Sequence, residues 1–204
     1  MEARVLSGKV MSVEEVLNIV KKDSLFYRNS GGGVTVCGGE PLAQAAFVLE
    51  LCRKLQEVAI HCVLDTCGYG KWKDLKQILE YTDLVFWDIK CMDDAKHKEW
   101  TGVGNAKILE NLKRTAQLGK DIEIRLPLIP GYNDSYADME AVTKFVVELG
   151  IKKLDILPYH NLGAGKYKAL DKKYELDQLE LFEREKVEEI GQSLKSYVLE
   201  VTIV

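Results

Sequence analysis

Grouped cysteines are what this sequence most plainly lacks. Its five, Cys37, Cys52, Cys62, Cys67 and Cys91, are an odd number at irregular spacing. No two form the C-x-x-C arrangement of a zinc knuckle or a dithiol redox site, so they read as reduced core or strand-end thiols. Long apolar runs are missing too. No stretch approaches the roughly 18 residues of a membrane span, and the first thirty residues hold no apolar signal core. A membrane partner is not expected, and the chain reads as cytosolic. Nor is there an excess of positive charge: 28 Lys and Arg stand against 32 Asp and Glu, a formal net charge of -4, with no basic run. That balance leaves no electrostatic footprint for nucleic acid, which is likewise not expected as a partner. Linkers, low-complexity segments and repeats are absent.

What is present is ordinary globular material, 47% hydrophobic and 29% charged over 204 residues, enough for one α/β domain spanning 1–204. Apolar runs bounded by turn residues predict strands at Val34 to Cys37, His61 to Thr66, Leu84 to Ile89, Ile122 to Leu128 and Leu154 to Tyr159. Helical periodicity predicts helices at Ser12 to Leu25, Leu42 to Glu57, Trp72 to Tyr81, Lys107 to Leu118, Tyr136 to Leu149 and Leu176 to Ser196. Ser12 with Glu15 fits a capping box, and Gly119 and Gly150 stand where helix C-caps are expected. Strict alternation predicts a parallel sheet with right-handed crossovers, either open or part of a (β/α) barrel. The run Val198 to Val204 is a sixth strand or a tail. A helix precedes the first strand with nothing yet to pack against, as in a barrel whose first strand has been left out.

The densest chemistry lies at Gly33 to Pro41, G-V-T-V-C-G-G-E-P. Val34-Thr35-Val36 has the composition of a buried strand. Gly38-Gly39 lets the backbone turn and approach a ligand without Cβ interference, leaving Glu40 at the strand's mouth. Parallel α/β proteins build their functional surface from the carboxyl ends of strands and the loops after them. Reading each expected strand to that end collects Gly38, Gly39 and Glu40, then Asp65 and Thr66, then Asp88 and Lys90, with Arg125 inside the fourth strand and His160 after the fifth. Carboxylates, a lysine, an arginine and a histidine at one mouth suit a zwitterionic ligand. Each member has a plainer reading: Glu40 as a first-turn glutamate before Pro41, Asp65-Thr66 as a loop cap, Asp88 and Lys90 as an ion pair on one side of a strand, and His160 as a loop histidine. His61 and His97 read as structural or solvent-facing. The set carries the functional reading.

Five segments, G-G-E-P at 38–41, L-D-T-C-G at 64–68, W-D-I-K at 87–90, P-L-I-P-G-Y-N-D at 127–134 and L-P-Y-H-N-L-G-A-G-K-Y at 157–167, span nearly the whole chain. Together they resemble the activating enzymes of glycyl radical enzymes, the family of pyruvate formate-lyase activating enzyme. The resemblance implies a radical S-adenosylmethionine (SAM) protein with a partial (β/α) barrel, an anaerobic oxidoreductase of the [formate-C-acetyltransferase]-activating type. Gly38, Gly39 and Glu40 match the motif that receives the methionine amino group. Asp88, Ile89 and Lys90 match the D-x-K stretch of the SAM site, His160 matches the histidine that meets the cofactor, and Arg125 joins the cofactor-binding set. Asp65, Thr66 and Asp88, with main chain near Phe86, match a monovalent-cation site, where a cation relieves repulsion between carboxylates. In the family a [4Fe-4S] cluster on C-x-x-x-C-x-x-C leaves one iron open to SAM. An electron, from a donor such as flavodoxin or ferredoxin, then yields a 5'-deoxyadenosyl radical, which removes a hydrogen from a glycine in a loop of the partner glycyl radical enzyme.

The sequence departs from the family at the cluster, because no C-x-x-x-C-x-x-C occurs in it. The expectation is an N-terminally truncated activase, a barrel without its first strand and without cluster ligands, inactive alone and with no catalytic residue of its own. Two other readings stand beside it. One is a non-catalytic β/α module that binds the glycine-loop peptide or regulates the parent enzyme. The other is a metal-dependent lyase or hydrolase using Asp65, Asp88 and His160.

Overall fold

Ser12 accepts from the Glu15 amide while the Glu15 carboxylate accepts from the Ser12 amide at 2.7 Å, and this reciprocal cap opens the first helix, α1 (Val13–Val20). The computed structural model describes residues 8–197 and 200–204. After α1 come α2 (Ser24–Ser30), β1 (Gly33–Val36), α3 (Ala45–Glu57), β2 (His61–Thr66), α4 (Trp72–Leu79), β3 (Leu84–Asp88), α5 (Asp94–Thr101), α6 (Ala106–Gln117) and β4 (Asp121–Leu128). The chain continues through α7 (Tyr136–Glu148), β5 (Lys153–Pro158), α8 (Ala164–Ala169), α9 (Arg184–Lys195) and β6 (Glu200–Ile203).

The six strands are all parallel and pair in chain order. Such an order means that each crossover steps the same way, so the sheet is part of a (β/α) barrel and not a doubly wound sheet. Period-two alternation then sorts the side chains. In β4, Ile122, Ile124, Leu126 and Leu128 are buried while Glu123, Arg125 and Pro127 between them are less so. Leu64, Trp87, Ile124 and Ile156 pack from the sheet into one core with Leu55, Leu75, Leu112 and Val146 of the helices. Each buried side chain of this kind contributes about 1.5–3 kcal/mol. The other face carries charge. Register sets Asp65, Phe86, Glu123 and Lys153 in one row and Asp88, Arg125, Asp155 and Thr202 in the next.

Several local expectations change. Among the described residues β1 is an edge strand, paired only with β2, so its Thr35 is exposed and the run is half-buried. The opening helix is not idle, since α1 packs on α3 through the buried Leu17. The helix expected from Ser12 to Leu25 breaks at a 3-10 turn, Lys21–Asp23. α9 begins at Arg184 instead of Leu176, because the Tyr159 hydroxyl holds the Leu176 carbonyl at 2.9 Å and fixes that stretch against β5. α5 has almost no apolar periodicity and is not among the periodic helices expected, although the lysine-rich stretch around His97 reads as helical; its Asp93 cap and its buried His97, bonded to the Val103 carbonyl at 2.7 Å, hold it. α8 was also unexpected. Of the terminal run, Val198 and Leu199 lie outside the described residues, and Glu200–Ile203 is the sixth strand.

Candidate functional site

At the carboxyl ends of the strands lies a cavity of about 280 Å³, lined by Gly38, Gly39, Glu40, Asp65, Thr66, Asp88, Lys90 and Arg125, with Cys37, Cys67, Pro127 and Leu157. Glu40 caps the 3-10 turn Pro41–Gln44 by accepting from the Leu42 amide at 3.0 Å, so its plainer reading is correct as geometry. The same carboxylate also reaches across to the end of β2. It accepts from the Thr66 hydroxyl (2.6 Å), the Cys67 amide (3.1 Å) and the Cys67 thiol (2.9 Å). Burial, then the Glu40 carboxylate beside it, pushes the Cys67 thiol up to about 12. The loop behind is fixed by Asn111, a buried residue of α6 that donates to the Gly68 and Gly70 carbonyls at 2.8 and 3.2 Å.

Arg125 reaches over the Phe86 ring, 3.8 Å from its centroid, to meet Asp65 at 3.0 Å. Its Nε is buried and has no hydrogen-bond partner among the described residues. Burial raises the Asp65 carboxyl, with Arg125 opposing. Lys90 meets Asp88 at 2.9 Å, so the ion pair read from their spacing is present; at 40% and 28% side-chain exposure it is too solvated to add much stability. Ile89 is buried in the core and faces its neighbour only through the main chain, its amide donating to the Arg125 carbonyl at 3.0 Å. Gly38 has φ +144, and a Cβ added at Gly38 or Gly39 would meet nothing within 4 Å, so bare main chain faces open space there.

Other members of the expected set sit differently. His160 is exposed, does not line the cavity, and caps the 3-10 turn Asn161–Gly163 by accepting from the Leu162 amide at 3.3 Å. The candidate cation ligands have other partners: Asp65 has Arg125, Asp88 has Lys90, and the Thr66 hydroxyl has Glu40. Among the described residues no group of three His, Cys, Asp or Glu side chains could hold a metal ion, so Asp65, Asp88 and His160 do not form a metal-lyase centre. The thiols are scattered. Cys52 and Cys62 face each other in the core at 3.4 Å, Cys91 is buried, Cys37 is exposed and Cys67 is bonded to Glu40. Three buried asparagines escaped the sequence reading: Asn105, Asn111 and Asn133 each hold carbonyls of the strand-end loops. Asn111 had a signal, a polar residue on the apolar stripe of a helix.

Fold and site together define an α/β partial barrel with a cavity of charged residues where its strands end. A family model described as the radical SAM superfamily matches residues 4–145. The isethionate sulfite-lyase activating enzyme of Oleidesulfovibrio alaskensis is 43% identical over 185 residues, 90% of this chain and 60% of that protein. The pyruvate formate-lyase-activating enzyme of Clostridium pasteurianum is 34% identical, over 92% of this chain and 79% of that protein. A solved domain of pyruvate-formate lyase-activating enzyme from Bacteroides vulgatus superposes with a TM-score of 0.72 at 28% identity, covering 85% of this chain and 99% of that one. The chain belongs to the radical SAM superfamily and, within it, to the activating enzymes of glycyl radical enzymes. It spans 60% of the length of the Oleidesulfovibrio relative. Among the described residues no helix is long and apolar enough to cross a membrane.

Proposed function

We propose that residues 1–204 form one partial-barrel domain of a radical SAM activase, which binds SAM in the strand-end cavity and, in the whole protein, serves to install a glycyl radical on a partner such as pyruvate formate-lyase. The convergence of Gly38, Gly39, Glu40, Asp88, Lys90 and Arg125 on one cavity carries this reading. The residues fit the amino-acid end of SAM. Bare main chain at Gly38 and Gly39 admits close approach, Glu40 offers negative charge for an ammonium, and Lys90 with the Arg125 guanidinium, both lining the cavity, offers positive charge for a carboxylate. When bound beside a reduced cluster, SAM supplies the radical chemistry; these residues bind and orient it. His160 would have to leave its cap on Leu162 to meet the nucleoside, and a monovalent cation would compete with Arg125 and Lys90 for Asp65 and Asp88. A flavodoxin or ferredoxin donor and a cytosolic setting belong to the same proposal.

The five cysteines present, scattered between core and surface, do not fit a [4Fe-4S] cluster. That mismatch favours a second reading for these residues alone, a module that binds without cleaving. Calorimetric titration with SAM tests the first reading. Weak binding is expected, with Kd on the order of 0.1–1 mM and at least about tenfold weaker for Arg125→Met. No binding, or binding that Arg125→Met leaves intact, removes the reading. Anaerobic iron-sulfide reconstitution with electron paramagnetic resonance and a 5'-deoxyadenosine assay tests the second. Stoichiometric cluster with SAM cleavage would overturn it.

A further inference from the structure

On the charged face of the sheet Asp65, Asp88 and Glu123 each meet a cation, Arg125, Lys90 and Lys153 respectively, at 3.0, 2.9 and 2.8 Å. Asp155 does not. It is the register partner of Arg125 on the next strand, β5, and is half-buried, yet among the described residues it forms no ion pair. Burial raises its carboxyl and Glu123 raises it further, while Arg125 pulls it down. Arg125 is short of a partner too, since among the described residues its buried Nε has none. Two unsatisfied groups of opposite charge thus lie on adjacent strands, and each carries a cost that pairing would remove. What keeps them apart is Asp65. The guanidinium is one rigid plane, which lies over the Phe86 ring and gives Nη1 to Asp65 across β3, so it leans toward β2 and away from β5.

Asp65 lines the cofactor cavity and Asp155 does not, although Leu157, two residues further on and on the same side of β5, does. A cationic group entering beside Glu40 and Asp65 neutralises Asp65 in place of Arg125. The released guanidinium then has one carboxylate without a cation beside it, Asp155, and pairing there leaves its other donors for a carboxylate in the cavity. Resting on the reading of the cavity as a SAM site, we infer that Asp155 is a positioning residue for Arg125: it receives the guanidinium when the ligand's ammonium takes over Asp65, and braces it toward the ligand's carboxylate. Arg125 thereby has two stations, Asp65, where the structure holds it, and Asp155.

The test is titration of the full chain with SAM, followed by nuclear magnetic resonance of the main-chain amides and of the Arg125 Nε–H group. Asp155→Asn is expected to weaken SAM binding at least about fivefold, and Asp155→Glu, which keeps the carboxylate, about twofold or less. In the Arg125→Met background Asp155→Asn should change the affinity by less than about twofold, because a residue that acts through Arg125 has nothing to act on once the guanidinium is gone. A loss of equal size in that background overturns the inference. So does an equal loss in Asp155→Glu, which marks packing on β5 and not charge. A third measurement needs no variant of Asp155 to fold: the Arg125 Nε–H signal should move as SAM saturates the unsubstituted chain, and a signal that stays in place overturns the inference as well. SAM binding that Asp155→Asn leaves intact sinks this inference alone, whereas no SAM binding by the unsubstituted chain sinks the reading of the cavity and this inference with it.

Discussion

Glu40 joins two stretches of chain that sequence keeps 26 residues apart, the turn after β1 and the end of β2, and it does so through a thiol as well as a hydroxyl. Burial, and then the negative charge of Glu40, hold Cys67 protonated, so Cys67 should resist iodoacetamide at pH 8 while the exposed Cys37 reacts. Glu40→Gln removes both the charge and the charge-assisted bond. Cys67 alkylation, followed by peptide mass spectrometry, is expected to speed up by about tenfold for each unit its pKa falls. Asp155 gives a second prediction. Burial and the nearby Glu123 raise its carboxyl, so it binds a proton more readily folded than unfolded. Stability contributed by such a group grows as pH falls through the range just above the ordinary carboxylate value and is lost as pH rises. In urea titrations, the unsubstituted chain should therefore gain on Asp155→Asn between about pH 6 and pH 4. The pairing of Asp88 with Lys90 was legible from a spacing of two. That of Asp65 with Arg125 was not, because it spans Phe86 on the strand between them.

The strand-end loops owe their shape to helix residues that reach back to them. Asn111 holds the loop after β2, and Asn111→Ala leaves the part-buried Gly70 carbonyl without this donor and the buried Gly68 carbonyl with only the Gly70 amide. The expected cost is about 2–3 kcal/mol by urea unfolding. Gly68 has φ +73, and a Cβ there would overlap the Trp87 indole, so Gly68→Ala combines backbone strain with overpacking. It should cost about 2–4 kcal/mol and loosen the Glu40–Cys67 contact, visible as faster Cys67 alkylation. Elements with a strong apolar stripe, such as α3, α4, α6 and α7, were legible to within a few residues at their ends. The bounds of α5 were not, since caps and a buried histidine stabilise it in place of periodicity.

At the scale of the molecule, the sheet of the described residues has two edges, and stability should fall toward them. β3 and β4 are flanked on both sides, whereas among the described residues β1 pairs only with β2 and β6 only with β5. Hydrogen exchange followed by mass spectrometry should show β1 amides exchanging at least about tenfold faster than those of β3; equal protection would mean that something covers the β1 edge. What the sequence by itself determined is the alternation of parallel strands and helices and the group of polar residues at the strand ends, because periodicity, caps and turn glycines act between positions a few residues apart. The tertiary structure alone decided that Arg125 faces Asp65 and that His160 stays outside the cavity. Those facts follow from the register of six strands, which brings residues tens of positions apart onto one face, and no local pattern encodes that register.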